Sequence, residues 1–378
     1  MDVAFISGLL FLALIKASPI AFGAMAGLMS ERSGVINIAI EGMMLIGAMM
    51  AFLGSVLFND LTGGLQPKLL SLTIGLLVAM LSAGLIAFLH AYLSIHYKVD
   101  QIISGTVINL LAIGITNFTA NAYIDQVGLA GLGVFPTIEI PFLSQIPVIG
   151  KILFSHQPLV YLMLIMVALL QYALFKTKWG LHTRAVGEHP RAADTVGINV
   201  NRRRYINVTL GGALAGIGGA FLVLESVGRF QKLMTTGRGF IALAALIFGK
   251  WTSVGALGSA LLFGFSEALG VRLQLGDLNQ LEILVLLTGM VVTLLALVWL
   301  ILKLIRKDAF QISWRVILSA GLAGLALLAW ATSAEFSSVE IPVQFLGLLP
   351  YILTVLVLAG FVGRATPPAA IGKTYDKA

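Results

Sequence analysis

Most of this chain is apolar runs separated by short polar breaks, at 3–29, 35–58, 69–95, 102–118, 158–175, 206–228, 240–249, 253–270, 281–305, 315–333 and 344–363. A helix needs about 20 consecutive apolar residues to cross a bilayer, and most of these runs are long enough. Lipid offers no partner to a backbone amide or carbonyl, so each run must satisfy its own hydrogen bonds within a helix. Composition closes off a water-soluble fold. The chain is 58% hydrophobic and 11% charged with mean hydropathy +0.98, against roughly 25% charged residues in soluble domains. The expected fold is all-α: a polytopic transmembrane helical bundle of about 10 spans, with room for short or re-entrant helices, over residues 1–378 as a single domain.

Two runs fit poorly. The first, 3–29, is interrupted by Lys16, Ser18 and Pro19, and 240–249 is short and ends at Gly249-Lys250-Trp251. Each reads as a kinked or re-entrant element, tolerated at membrane depth only where protein or a water-filled cavity covers the backbone. No basic residue precedes the first run, since Asp2 is the only early charge. It is therefore read as part of the mature chain and not as a cleaved signal.

The net charge of +7 is concentrated. Lys176, Lys178, Arg184, Arg191, Arg202, Arg203 and Arg204 fall in one loop, 176–205, and Lys303, Arg306, Lys307 and Arg315 in another. Short Lys/Arg-rich loops stay cytoplasmic, which places both inside. Counting spans outward puts 120–157 and 229–239 outside, with 240–270 as a hairpin whose two ends are both outside. Basic loops between spans make poor nucleic-acid surfaces, so no nucleic-acid partner is expected. With no cysteine, five scattered histidines and no HExxH spacing, neither thiol chemistry nor a metal centre is expected. No nucleophile–base pair marks an enzyme either.

Polar residues within the runs are functional candidates by default. Asn37 and Glu41 are four apart and read as one helical face entering the membrane after a turn at Glu31-Arg32-Ser33-Gly34. Asn109 and Asn117 lie in the fourth run, Glu225 near the outer end of 206–228, and Glu267 in 253–270. The bland reading of each is hydrogen bonding between helices. Gly212 and Gly216, in GGALAGIGGA, read as a site of close helix packing. In the 176–205 loop, Pro190 suits the first turn of a short helix, PRAADTVG, and Gly197 suits its end. Glu188 would complement that helix's N-terminus. A helix bounded this way either docks into a partner or lies on anionic headgroups.

Four stretches carry a family resemblance. RAVGEHPRAADTVGINV resembles the coupling-helix loop of ATP-binding-cassette (ABC) importer permeases, within the superfamily of branched-chain amino-acid, ribose and simple-sugar permeases. ERSGVINIAIEGMMLIGAM is similar to that superfamily's early transmembrane signature, and Gly237 to Gly264 to its late one. The tail from Leu349 to Tyr375 resembles the nucleoside-uptake branch. The resemblance implies a non-enzymatic permease of the bacterial inner membrane that carries nucleosides or simple sugars. ABC ATPase subunits would dock at 185–199 through Arg184, Gly187, Glu188, Pro190, Arg191, Ala192, Ala193 and Gly197. A second homologous permease, in a heterodimer, and an extracytoplasmic substrate-binding lipoprotein would complete the importer. Asn37, Glu41, Asn109, Asn117 and Glu225 would line the substrate pathway, with Phe22 and Phe240 offering ring surface to a base.

No cofactor is expected in this chain, with ATP bound by the partner. Gly372-Lys373-Thr374 echoes the end of a phosphate-binding loop, but Pro367 stands where such a loop needs glycine. Relative to the family, 271–343 reads as a two-helix insertion with a basic turn. The competing reading is a secondary transporter driven by an ion gradient, with Glu41, Glu225 or Glu267 relaying protons. It leaves the 176–205 loop unexplained, and the two halves show no convincing repeat.

Overall fold

A computed structural model describes residues 3–126, 129–274 and 365–376. Among them, eleven α-helices and one two-residue β pairing follow in order: α1 Val3–Arg32, α2 Ile40–Leu61, α3 Lys68–Ala91, α4 Gln101–Thr119, β1 Ile138–Glu139, α5 Ile149–Leu153, β2 Ser155–His156, α6 Pro158–Lys176, α7 Lys178–Glu188, α8 Pro190–Thr195, α9 Val200–Phe221, α10 Arg238–Phe248 and α11 Ser253–Gln274. With their π-helical extensions, seven of these are long and apolar enough to cross a membrane: Ile6–Arg32, Ile40–Leu61, Lys68–His96, Gln101–Asp125, Pro158–Lys176, Val200–Val227 and Ser253–Arg272. The all-α transmembrane expectation holds. The runs at 281–305, 315–333 and 344–363, and nearly all of the 271–343 segment read as an insertion, lie outside the described residues.

Residues up to Phe265, together with the tail from Arg364, form one compact unit. Its centre is α9, which packs against α1, α2 and α3. The packing is close because glycines leave no side chain in the way. A Cβ on Gly212 would lie 2.1 Å from the Ala87 Cβ, and one on Gly219 would lie 1.9 Å from the Met44 carbonyl oxygen. The small-residue stretch therefore works as a packing face, in keeping with its sequence reading. The last described residues of α11, from Ser266 and including Glu267, belong to a second unit.

Local sequence explains several helix starts. The Asp100 carboxylate accepts from the backbone amides of Ile102 and Ile103 at 2.8 and 3.1 Å, opening α4. Asn199 accepts from Arg202 N at 2.9 Å to open α9, and Pro158 occupies the first turn of α6. Three spans finish in a π-helical turn: Tyr92–His96 after α3, Ala120–Asp125 after α4 and Leu222–Val227 after α9.

Two expectations need correction. The run 3–29 is not re-entrant: α1 continues through Pro19 to Arg32. Proline removes one hydrogen bond from the ladder, and neighbours hold the helix on both sides of it, since Ala17, Ile20, Ala21 and Phe22 are all buried. The run 35–58 is helical only from Ile40. Asn37 sits in the irregular stretch before α2, so it and Glu41 do not share a helical face. Gly34, at φ +91°, turns the chain at the end of α1, and a side chain there would strain the backbone.

The short run at 240–249 behaves as expected. Helix α10 has 11 residues, hence a length of about 16 Å, half the hydrocarbon thickness. An irregular stretch leads into it, with positive φ at Gly228, Leu233, Thr236 and Gly237, and a turn with Lys250 and Trp251 in the left-handed region leads out. Non-glycine residues in that region are strained unless their surroundings hold them.

Candidate functional site

Asn37, Glu41 and Asn109 gather around two breaks in helical structure, residues 33–39 and 228–237. In the first, the backbone lacks helical partners and side chains supply them. Gln101 Oε1 accepts from Ile36 N at 2.7 Å, and His90 Nε2 is 2.9 Å from Ile36 O. Asn109 Nδ2 donates to Ile38 O at 3.0 Å while its Oδ1 accepts from Gly42 N at 2.8 Å. Burying an unpaired amide or carbonyl costs roughly 1–3 kcal/mol, so these three side chains make the break tolerable at depth.

Glu41 joins the two breaks. Its Oε1 accepts from Thr235 Oγ1 at 2.6 Å and from Gly237 N at 2.9 Å. Its Oε2 accepts from Gly239 N at 2.7 Å. The carboxylate thus caps the N-terminus of α10 from another helix, where free amides and the helix dipole favour negative charge. A Cβ on Gly239 would lie 2.5 Å from the Glu41 Cα, so only glycine lets the two backbones approach.

The other sequence-selected residues fall into different surroundings. Asn37 is buried and donates to Ser30 Oγ at 3.3 Å, while its Oδ1 has no partner among the described residues. Asn117 Oδ1 is likewise unpartnered there. Glu225 Oε1 accepts from Leu159 N, in the first turn of α6, at 2.5 Å, and its Oε2 is buried without a partner among the described residues. Phe22 is fully buried in the core and offers no ring face, whereas Phe240 is 50% exposed in the first turn of α10.

The polar loop folds as two helices, α7 and α8, and α8 is bounded as its sequence indicated. Pro190 stands in its first turn and Gly197, at φ +85°, follows its end. Arg191 and Ala192 are exposed. Ala193 is buried with Val186, Val200 and Tyr375 in a small apolar cluster of their own. Arg184 lies over the Phe175 ring, 5.1 Å from guanidinium carbon to centroid, and Arg32 stacks there too at 5.5 Å. Glu188 stands just before α8 and makes no capping hydrogen bond to it. Its Oε2 accepts from Ala369 N at 3.0 Å, because the tail passes beside the end of α7 and offers the nearer free amide.

Several residues that organise this region escaped the sequence reading. Arg204 looked like one of three consecutive surface arginines, yet it is 1% exposed. It donates through Nε to Ser33 O at 3.3 Å and through Nη1 to Lys373 O at 3.0 Å. A signal was present: Val200, Arg204, Asn207, Val208 and Gly211 recur at helical spacing and share the buried face of α9. Trp251 was noted only as the end of a run. Its indole donates to Glu31 Oε2 at 2.5 Å, and its carbonyl accepts from Arg32 Nε at 2.8 Å. Gly34 does end the turn its sequence indicated, whereas Tyr375 carried no local signal, since it matters through contacts far away in sequence.

With this geometry in view, the chain can be set beside known proteins. Residues 9–296 match the family described as the permease component of branched-chain amino acid transport systems. The chain is 36% identical to the guanosine ABC transporter permease protein NupQ of Bacillus subtilis, with 96% of this chain and 95% of that protein covered. It is 35% identical to the nucleoside ABC transporter permease protein NupC of Lactococcus lactis, over 96% and 95%. It is also 35% identical to a putative glucose ABC transporter permease protein, TsgC13, of Haloferax volcanii, over 72% of this chain and 79% of that protein. No solved structure matches.

Proposed function

The chain belongs to the family of permease components of branched-chain amino acid transport systems, and from that premise we propose that it carries nucleosides inward as one permease of an ABC importer. It is a multi-pass permease of the bacterial inner membrane and not an enzyme, and its relatives are ABC permeases, which leaves the ion-gradient reading unfavoured. Family membership implies an ATPase and a substrate-binding partner. A second, homologous permease completes the proposed assembly, since Bacillus subtilis has two guanosine permease proteins, NupP and NupQ, that both resemble this chain.

The observation that carries this reading is the α7–α8 unit. A loop between two spans would cost least as a solvated coil, yet here it forms two helices with Arg191, Ala192 and Val196 exposed along the second. That surface suits an ATPase subunit: of the residues given the coupling role, Glu188, Arg191, Ala192 and Gly197 are exposed to meet it and Arg184 and Pro190 are half-buried beside them, while Gly187 and Ala193 are buried and hold the unit in shape.

For the solute, nucleosides have the support of two relatives matched along nearly the whole chain, against a sugar permease matched over a smaller share. A cleft of about 470 Å³ between the end of α4 and the loop after α9 suits such a solute. Arg229, Gln231 and the Asp125–Lys232 ion pair, 2.6 Å from Nζ to Oδ2, line it with polar groups that suit ribose hydroxyls and base edges. From there the irregular stretch 229–237 leads to Phe240. Aromatic stacking with directed polar contacts is how proteins hold single bases. In this pathway Asn117 and Phe240 face the solute, and Asn37, Glu41, Asn109 and Glu225 shape the backbone around it.

Reconstitution with the cognate ATPase, second permease and binding protein tests the reading. ATP-dependent nucleoside uptake is expected, outcompeted by unlabelled nucleoside and not by glucose, and abolished by Arg191→Glu with the chain still inserted. Uptake that survives an ATPase-dead partner but collapses with a proton uncoupler would sink it.

A further inference from the structure

The tail, residues 365–376, lies against the α7–α8 unit and the α1–α2 corner together. Its backbone is stitched to both. Ala370 N donates to Gly187 O at 2.9 Å, at the end of α7, and Gly372 N donates to Gly34 O at 3.1 Å, in the corner. Ala369 N reaches the Glu188 carboxylate at 3.0 Å. The buried Arg204 guanidinium then bridges the two sides, donating to Ser33 O and to Lys373 O.

Glycines bring these stretches of chain within reach. A Cβ on Gly187 would lie 2.3 Å from Arg32 O, and one on Gly372 would lie 2.8 Å from the Ile36 side chain. Further on, Tyr375 packs with Val186, Ala193 and Val200 in a small apolar cluster. Lys98, beyond α3, pairs with Asp376. The tail thus crosses from the docking helices to the corner and on to α3.

The corner connects onward. Arg32 and Glu31 hold both polar groups of Trp251, in the turn that ends α10. The other end of α10 is capped by Glu41, from the far side of the same corner. A shift of α8 therefore reaches both ends of the half-helix through apolar packing on Tyr375 and hydrogen bonds from the tail and corner, and the tail is its second link beside the close approach of Gly187 to Arg32.

We propose that the carboxy-terminal segment 367–376 is a coupling strap: it locks the α7–α8 docking unit to the α1–α2 corner, so that movement imposed at α8 is delivered to α10. This rests on the ATPase-docking reading above. The tail's short turn at 368–372 has no binding role of its own in this account. It is a positioning element, acting through α10.

The test uses the assembled importer in proteoliposomes, with nucleoside uptake and ATP hydrolysis measured on the same sample. Three variants loosen the strap: Tyr375→Ala, Gly372→Val and a chain ending after Thr366. The expected result is a complex that still co-purifies with its ATPase and hydrolyses ATP, with nucleoside carried per ATP reduced about tenfold, the scale at which coupling residues act. A wild-type ratio in assembled variants overturns the strap. So does a proportional loss of uptake and hydrolysis, which would make the tail part of the docking surface alone. If the truncated chain does not accumulate, the two point variants decide by the same ratio. Absence of ATP-driven uptake in the wild-type importer would overturn the functional reading instead, and the strap with it.

Discussion

Glu41 and Glu225 are both buried carboxylates set at the start of another helix, and their surroundings differ. Glu41 takes three donors from the entry to α10, so both of its oxygens are satisfied. Glu225 takes one amide at the entry to α6, and its other oxygen is buried without a partner among the described residues. The regions around them differ in the same way. Side chains from α3 and α4 satisfy the break before α2 one backbone group at a time. The region around Glu225, where Phe135 N meets Leu224 O at 2.8 Å and a Cβ on Gly131 would sit 1.8 Å from Gly228 O, is held by backbone contact and glycine. A fully satisfied carboxylate fixes a joint between two broken segments, whereas a half-satisfied one adds a buried polar group at a cost. The first kind of residue is structurally indispensable and the second is replaceable.

That contrast can be broken most directly at Glu41. Glu41→Ala strips partners from two amides and a hydroxyl at once and should destabilise the permease by about 3 kcal/mol or more, read as a lower melting temperature in detergent. Asn109→Ala leaves Gly42 N and Ile38 O unpaired and should cost about 2 kcal/mol by the same measurement, with Asn109→Asp recovering only the Gly42 bond. The smallest effect belongs to Glu225→Gln, which keeps an acceptor for Leu159 N and removes the prospect of a buried charge. Its melting temperature should stay within the shift produced by about 1 kcal/mol. A fall as large as that of Glu41→Ala would show that the two carboxylates are equivalent and that the comparison is wrong.

Part of the site was legible in the sequence. Pro190 and Gly197 bound α8 because the rules they follow are local: one residue fixes φ at a helix start and the other accepts a positive φ after a helix end. The half-length of α10 was visible as a short run before Gly249. The polar residues of the spans were also found, since charge within an apolar run stands out. Their partners were not. Whether Asn109 faces a solute or props up Ile38 and Gly42 depends on where α2 begins, and the apolar run 35–58 hides a helix start at Ile40. The strap was invisible for a related reason: Lys373 looked like a fragment of a phosphate loop and Arg204 like a surface charge until each was seen to meet the other.

The sequence by itself determined the solvent of this protein, the all-helical fold and the polar loop between α6 and α9, because hydrophobic length and helix-end chemistry act over a few residues. Only the tertiary structure decided which polar groups complete which breaks. Glu41 and Gly237 are 196 residues apart, and Arg204 and Lys373 are 169 apart. Within a membrane, an unmet backbone group must find a partner inside the protein. Where that partner stands is set by how the helices pack, and no local pattern encodes it.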